Sequence, residues 1–194
     1  MLKGRAVSLR PITESDLGDF HETTTDMETR GPWYPLPSES LTKFRARFAE
    51  SGLWSPNAGS FLIVDAEDRK LGVVGWGKRE DSYGSDVELS YRLFDRSQMG
   101  KGIATEAVGL LVNYLFDWLP IHRLLLLIHV DNVPSHRVAE KCGFTKEGTS
   151  REEWFHRGAW HDLDVYSLIR HERDRERPSD TRTQASGDAT SSGE

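Results

Sequence analysis

The chain has 194 residues, with 25 Lys and Arg against 31 Asp and Glu and a formal net charge of −6. That length suits one domain with or without a tail, and the acidic balance speaks against a general nucleic-acid binder, which needs a basic surface to neutralise phosphates. The one cysteine, Cys142, excludes an intramolecular disulfide. No apolar run approaches the roughly 20 residues of a membrane span. The N-terminus Met1-Leu-Lys-Gly-Arg lacks the core of a signal peptide, so no membrane contact and a cytoplasmic location are expected.

In chain order, residues 5–10 alternate as a first strand that stops at Pro11, and Thr13-Glu-Ser-Asp16 reads as a helix start with Thr13 as N-cap. Leu17, Phe20 and His21 would turn inward. The stretch Gly31-Pro-Trp-Tyr-Pro-Leu-Pro37 cannot continue a helix, because proline fixes φ and biases the residue before it toward extended backbone. It reads as an ordered aromatic loop or a lid. A second helix is expected from near Ser38, with Leu41, Phe44 and Phe48 on one face. Ser60–Asp65 and Lys70–Gly77 pair as a hairpin, and a turn over 81–85 leads to a third antiparallel strand over 86–95.

After a turn containing Gly100 and Gly102, residues 103–118 keep a helical period until Pro120. The run Arg123-Leu-Leu-Leu-Leu-Ile-His-Val130 reads as a strand buried on both faces, so the helix crosses between two parallel strands. A short helix follows Asn132, ends at Gly143 as an αL cap, and gives way to a hairpin of 144–156 with 160–169. From His171 the chain is charged and then rich in Ser, Thr and Gly. The reading is therefore one domain over 1–170 and a disordered tail over 171–194.

The glycine corner admits two readings. Bare amides at a helix N-terminus suit a pyrophosphate, and two glycines also make a tight strand-to-helix turn. A nucleotide P-loop is poorly supported, because Gly100-Lys101 is followed by Gly102 rather than Ser or Thr. A Rossmann fingerprint would put a third glycine or alanine where Thr105 stands.

Taken together, Gly100-Lys-Gly-Ile-Ala-Thr-Glu-Ala107 and Asn132-Val-Pro-Ser-His-Arg-Val-Ala-Glu-Lys-Cys-Gly-Phe144 resemble the GNAT superfamily of acetyl-coenzyme A dependent N-acetyltransferases. The branch resembled most is the one that acetylates N-termini of ribosomal proteins, which Leu9-Arg-Pro11 and Asp164-Val-Tyr-Ser-Leu168 also fit. The chain departs from the family at Ser97, where Gln or Arg is frequent. The resemblance implies an α+β fold with a mixed, mostly antiparallel sheet of about seven strands and two parallel strands splayed around acetyl-CoA. It implies that pantetheine adds to the first splayed strand near Leu93 and Phe94. The amides of Met99, Gly100, Lys101, Gly102, Ile103 and Ala104 would hold the pyrophosphate, and Asn132 and Ser135 would meet the pantetheine arm.

Amine acetylation by a thioester needs a neutral amine, an oxyanion donor and a proton for the leaving thiolate. Glu88 sits in mid-strand, where a charge is out of place unless it faces a cleft or an ion-pair partner. The resemblance makes it the candidate base; His129 reads first as a polar residue at a strand end and is the weaker alternative base. Ser135 is the candidate acid for the thiolate, although Asn132 and Ser135 also read as helix caps. A strand N–H near Leu93 would hold the oxyanion. Trp33, Tyr34 and Trp54 would wall an acceptor pocket with Glu88, or else belong to the core. The histidines lack metal-ligand spacing, and Cys142 reads as a small buried residue. The expected activity is direct acetyl transfer to a primary amine in a ternary complex. Peptide or protein N-termini come first as acceptors. An antibiotic or aminoacyl amine, or a non-catalytic coenzyme A binding module, is the alternative, and a homodimer is compatible with the sequence.

Overall fold

The computed structural model describes residues 1–26, 31–34, 39–79 and 86–176. Residues 35–38, the turn over 81–85 and the tail from 177 lie outside the described residues. The strands are β1 (Leu2–Lys3), β2 (Ser8–Pro11), β3 (Trp54–Ser55), β4 (Ala58–Val64), β5 (Lys70–Lys78), β6 (Asp86–Leu93), β7 (Arg123–His129), β8 (Thr145–His156) and β9 (Ala159–Ile169). The helices are α1 (Leu17–Thr25), α2 (Leu41–Ser51), α3 (Ile103–Trp118), α4 (Val133–Lys141) and α5 (Arg170–Glu176).

All nine strands join one sheet in the order β1-β2-β4-β5-β6-β7-β9-β8, with β3 paired to β4. Two of the nine are two-residue pairings, which carry no periodicity and account for the excess over the expected seven. Every neighbouring pair is antiparallel except β6 and β7. Their parallel run follows from α3, which crosses over one face of the sheet and buries Ile103, Ala107, Leu111 and Leu115 at helical spacing. Those side chains meet Val74, Trp76, Val87, Leu89, Leu124 and Leu126 in the larger core. On the other face α1 and α2 bring Leu17 and Phe44 onto Leu62 and Val64 in a second, smaller core.

Three local expectations shift. The opening strand runs Ser8–Pro11, with Pro11 at its end in register with Phe61. A 3₁₀ turn over Glu14–Asp16 precedes α1, and Asp16 accepts from both the Thr13 N–H (2.9 Å) and its hydroxyl (2.7 Å). Strand β6 ends at Leu93, because Asp95 caps a second 3₁₀ turn by accepting the Ser97 N–H at 2.7 Å.

The charged segment after 170 begins with α5, which polar contacts dock against α3. Arg170 donates to the carbonyls of Ile121 (2.8 Å) and Leu119 (2.7 Å), satisfying groups beyond the C-terminus of α3. Arg173 pairs with Asp117 at 2.5 Å. A hydrophobic period does not register such a helix, since its anchors are guanidinium groups.

Candidate active site

Among the described residues, strands β6 and β7 pair at three positions, the last being Glu88 with Leu125. Beyond it β6 runs on to Leu93 and β7 to His129 without pairing, so the two part into an open gap. The ladder to β5 fixes which backbone groups face it. The Phe94 N–H donates to Leu71 O at 2.9 Å, and hydrogen-bonded positions alternate along an antiparallel pair. Arg92 and Ser90 therefore also point their amides at β5, while Leu89, Tyr91 and Leu93 point theirs into the gap. Leu93 is thus set to meet a ligand strand. Phe94 is not, since its amide is spent and its ring packs on Phe20 at 6.1 Å on the α1 side.

At the open end of the gap lies the glycine corner. Gly100 and Gly102 have φ of 77° and 81°, backbone that favours glycine, and Gly102 is the N-cap of α3. A side chain at either would meet nothing within 4 Å, so the glycines are not there to relieve crowding within the protein. The Met99 N–H is used inside the preceding turn, on Arg96 O at 3.1 Å. The free donors therefore begin at Gly100. The amides of Gly100, Lys101, Gly102, Ile103 and Ala104 have no intramolecular partner among the described residues, and they converge at the positive end of a 16-residue helix. Lys101 is exposed, with its ammonium 3.2 Å from Gln98 Oε1.

On the α1 and α2 face, Glu88 stands where the strands part, half-exposed, 3.8 Å from Arg79. The carboxylate thus has both an ion-pair partner and access to the gap. Register places Gly77 beside Glu88, and Gly75 between Ser60 and Ser90, which leaves a low floor next to the carboxylate. A cavity of about 370 Å³ opens on the same side, walled by Phe20, His21, Tyr34, Phe44, Trp54 and Ser60. Trp54 also belongs to the core, in edge contact with Phe61 at 4.8 Å.

Trp33 does not line that cavity. It stacks on His129 at the end of β7, with ring centroids 4.0 Å apart. The Asp131 N–H donates to His129 Nδ1 (3.1 Å), so the proton of that ring sits on Nε2 and faces His161 Nδ1 (3.0 Å). His161 in turn donates from Nε2 to His156 O (3.1 Å). The Nδ1 lone pair is taken and Nε2 carries the proton, which leaves His129 no free nitrogen to act as a base. Burial, and then the neighbouring His161, hold its pKa below the ordinary imidazole value.

Across the gap, Asn132 caps α4 by accepting the Ser135 N–H at 3.4 Å. The capping role falls to Asn132, and the Ser135 hydroxyl is left over. Its neighbour is Tyr91, which the sequence pattern does not single out. The signal available was a phenolic oxygen on a face otherwise made of Val87, Leu89 and Leu93. His136, next to Ser135, donates from Nε2 to Val130 O (3.1 Å) and accepts from the Tyr166 hydroxyl (3.1 Å), fastening the first turn of α4 to β9. Cys142 is mostly buried, which pushes its thiol up to about 11, and its Sγ donates to Thr105 O at 3.4 Å. Among the described residues no cluster of His, Cys, Asp and Glu is placed to hold a metal ion, and no helix is long and apolar enough to cross a membrane.

A mixed sheet split at its one parallel pair, with unspent amides at the mouth of the crossover helix, defines an acyltransferase that takes its acyl group from a coenzyme A thioester. The chain belongs to the GNAT acetyltransferase family, whose domain profile matches residues 7–145. It is 32% identical over 181 residues to the probable N-acetyltransferase YjcK of Bacillus subtilis, covering 87% of this chain and 97% of that one. It is 30% identical over 108 residues to the ribosomal-protein-serine acetyltransferase of Escherichia coli, covering 56% and 59%. The fold matches the crystal structure of spermidine N-acetyltransferase from Vibrio cholerae in complex with CoA and spermine, with a TM-score of 0.75 at 22% identity over 86% of this chain and 97% of that one. The chain is an acetyl-CoA dependent N-acetyltransferase.

Proposed function

We propose that the acceptor is the N-terminal amine of a peptide or protein, acetylated by direct attack on the thioester in a ternary complex. What supports this reading is the chemistry of the cavity on the α1 and α2 side of the sheet. Among the described residues its walls are aromatic rings and the hydroxyls of Thr24, Thr25, Ser51, Ser55 and Ser60, and its one carboxylate, Glu39, is held by Arg47 at 2.8 Å. A polyamine carries several ammonium groups and would call for several unpaired carboxylates. A peptide N-terminus carries one ammonium, followed by amides that hydroxyls can meet. The likeness to a ribosomal-protein-serine acetyltransferase points the same way.

In this reading Glu88 takes the proton from the acceptor ammonium, directly or through water. The Leu93 N–H, turned into the gap, donates to the oxyanion. The corner amides from Gly100 to Ala104 bind the pyrophosphate, Asn132 meets the pantetheine amides, and Ser135 supplies the proton to sulfur. Trp33 and Tyr34 shape the acceptor's approach. The enzyme would work in the cytoplasm, as a monomer or a homodimer.

The test is release of free coenzyme A thiol on offering peptides with free N-termini, the same peptides N-terminally blocked, and spermidine. Turnover with free N-termini alone is expected. Preferred turnover of spermidine would overturn the peptide reading.

A further inference from the structure

Tyr91 lies on β6 beyond the last pairing with β7, its ring packed toward the larger core together with Val138 and Cys142. Its hydroxyl oxygen is buried and has no hydrogen-bond partner of good geometry among the described residues. A buried polar atom left unmatched in a well-packed site asks for an explanation, because desolvating it is costly. The Ser135 hydroxyl is the polar side chain next to it, and that hydroxyl is itself released from capping by Asn132. Two hydroxyls thus face each other across the gap between β6 and α4, where the thioester sulfur would pass.

We propose that Tyr91 is a positioning and relay residue that donates its phenolic hydrogen bond to Ser135 and thereby turns the Ser135 proton toward the departing sulfur. The inference rests on the acetyl-transfer reading of the gap and deepens it. When the tetrahedral intermediate collapses, the carbon–sulfur bond breaks and its electron pair stays on sulfur. The Ser135 proton moves to sulfur, the Tyr91 proton moves to Ser135 oxygen, and after product release Ser135 returns that proton to Tyr91 and takes one from solvent in the opened gap. The attacking nitrogen gives up its ammonium proton and then its amine proton through Glu88, so the reaction starting from the ammonium releases one proton to solvent overall.

The acidities suit a donor. Burial pushes the Tyr91 phenol up to about 12, with Ser135 pulling it back, so it stays protonated at any working pH. A phenol is still a stronger acid than the aliphatic hydroxyl of Ser135, and therefore makes a serine-mediated transfer to a thiolate less uphill. Cys142 cannot substitute, since its thiol is held at about 11 and already donates to Thr105 O.

Tyr91→Phe keeps the ring and removes only the hydroxyl. The probe is coenzyme A itself, bound to the full chain and titrated by the ultraviolet absorbance of its thiolate. Hydrogen bonds to the charged form lower a pKa, so the bound thiol is expected to titrate about one pH unit lower in the wild type than in Tyr91→Phe. With a peptide acceptor, kcat should fall about tenfold or more while KM for acetyl-CoA stays within about twofold. Ser135→Ala, read in the same way, covers the case in which Tyr91→Phe does not fold. In the double variant the losses should not add, because both act on one proton. Equal thiol titrations in wild type and Tyr91→Phe, or additive losses, would overturn the relay while leaving the cosubstrate site standing. A wild-type bound thiol that titrates as in free solution would overturn the relay together with the proposed placement of the sulfur.

Discussion

Trp33 and Tyr34 are neighbours in the chain, yet they hold opposite banks of the gap. Trp33 stacks on His129 of β7 at 4.0 Å, and the Tyr34 ring takes the Arg92 guanidinium of β6 at 4.8 Å. Both contacts lie on the face that carries Glu88, so residues 31–34 form a strap across the splayed strands on the acceptor side. Removing the Trp33 ring should loosen one anchor without touching the glycine corner. Trp33→Ala is expected to raise KM for the acceptor about tenfold, while acetyl-CoA still raises the melting temperature as it does in the wild type. An unchanged acceptor KM would show that the strap is structural only.

Gly102 combines a φ of 81° with open space where a side chain would project. A substitution there meets backbone strain, and in the complex it would sit where the pyrophosphate approaches. Gly102→Val should abolish stabilisation by acetyl-CoA in a thermal-shift measurement while the unliganded melting temperature falls by only a few degrees. Full retention of the ligand-induced shift would remove the corner from the cosubstrate site.

Glu88 shares its carboxylate between Arg79 at 3.8 Å and the mouth of the gap. Glu88→Gln keeps size and polarity but cannot accept a proton. Turnover is expected to fall about a hundredfold, with loss of the acidic limb of the pH–rate profile. Arg79→Gln serves as the control. If Glu88 were only an ion-pair partner, the two variants would behave alike and the acidic limb would persist.

The sheet was legible because its signals are local. The leucine run 124–127 announced a strand buried on both faces, and Ile103, Ala107, Leu111 and Leu115 announced the helix that makes its neighbour parallel. Gly100, Gly102, Asn132 and Ser135 were legible as a pattern because backbone conformation demands particular residues there. The pairings that complete the site join distant segments with no period between them. Tyr91 meets Ser135 only once β6 and β7 part, and His129 meets His161 and Trp33 only across strands. Nor does a sequence reveal which amides a turn has already spent, as at Met99 and Phe94.

Asp16 is 2% exposed and takes Arg10 in a two-pronged contact, Nη1 at 2.7 Å and Nη2 at 3.0 Å, with Lys70 at 3.1 Å. The Arg10 guanidinium, helped by the Thr13 donors, holds the carboxyl well below the usual carboxylate range. This network ties β2 and β5 to the start of α1. Breaking it leaves Arg10 and Lys70 facing a neutral group. Asp16→Asn is expected to cost about 3 kcal/mol in denaturant unfolding. Because the folded pKa is depressed, this stabilisation is present above the unfolded value and is lost only as pH falls toward the native one. A cost within about 0.5 kcal/mol would mean that the contact is solvent-screened.

His129 makes the opposite kind of pH statement. It is 5% exposed, its two nitrogens are committed in the neutral tautomer, and burial followed by His161 disfavours its charged form. Unfolded imidazole titrates near about 6.5, so below that pH the unfolded chain binds a proton that the folded chain refuses. Stability should therefore be unaffected by this group above about pH 7.5 and should decline as pH falls from about 6.5 toward the lowered native value, at no more than about 1.4 kcal/mol per pH unit. Asp131 and Asp162 face the ring and work against the decline, while His156 and His161 add to it. The measurement is the melting temperature from pH 8 to pH 5 for wild type and His129→Gln, whose amide can still donate to His161. The wild type should lose more on acidification than the variant, and the Trp33 fluorescence should change only toward the lowered native value, where its stacking partner takes up its proton. Parallel curves would show that the imidazole titrates in the folded protein as it does in the unfolded chain, and that the strap's anchor on β7 is indifferent to pH.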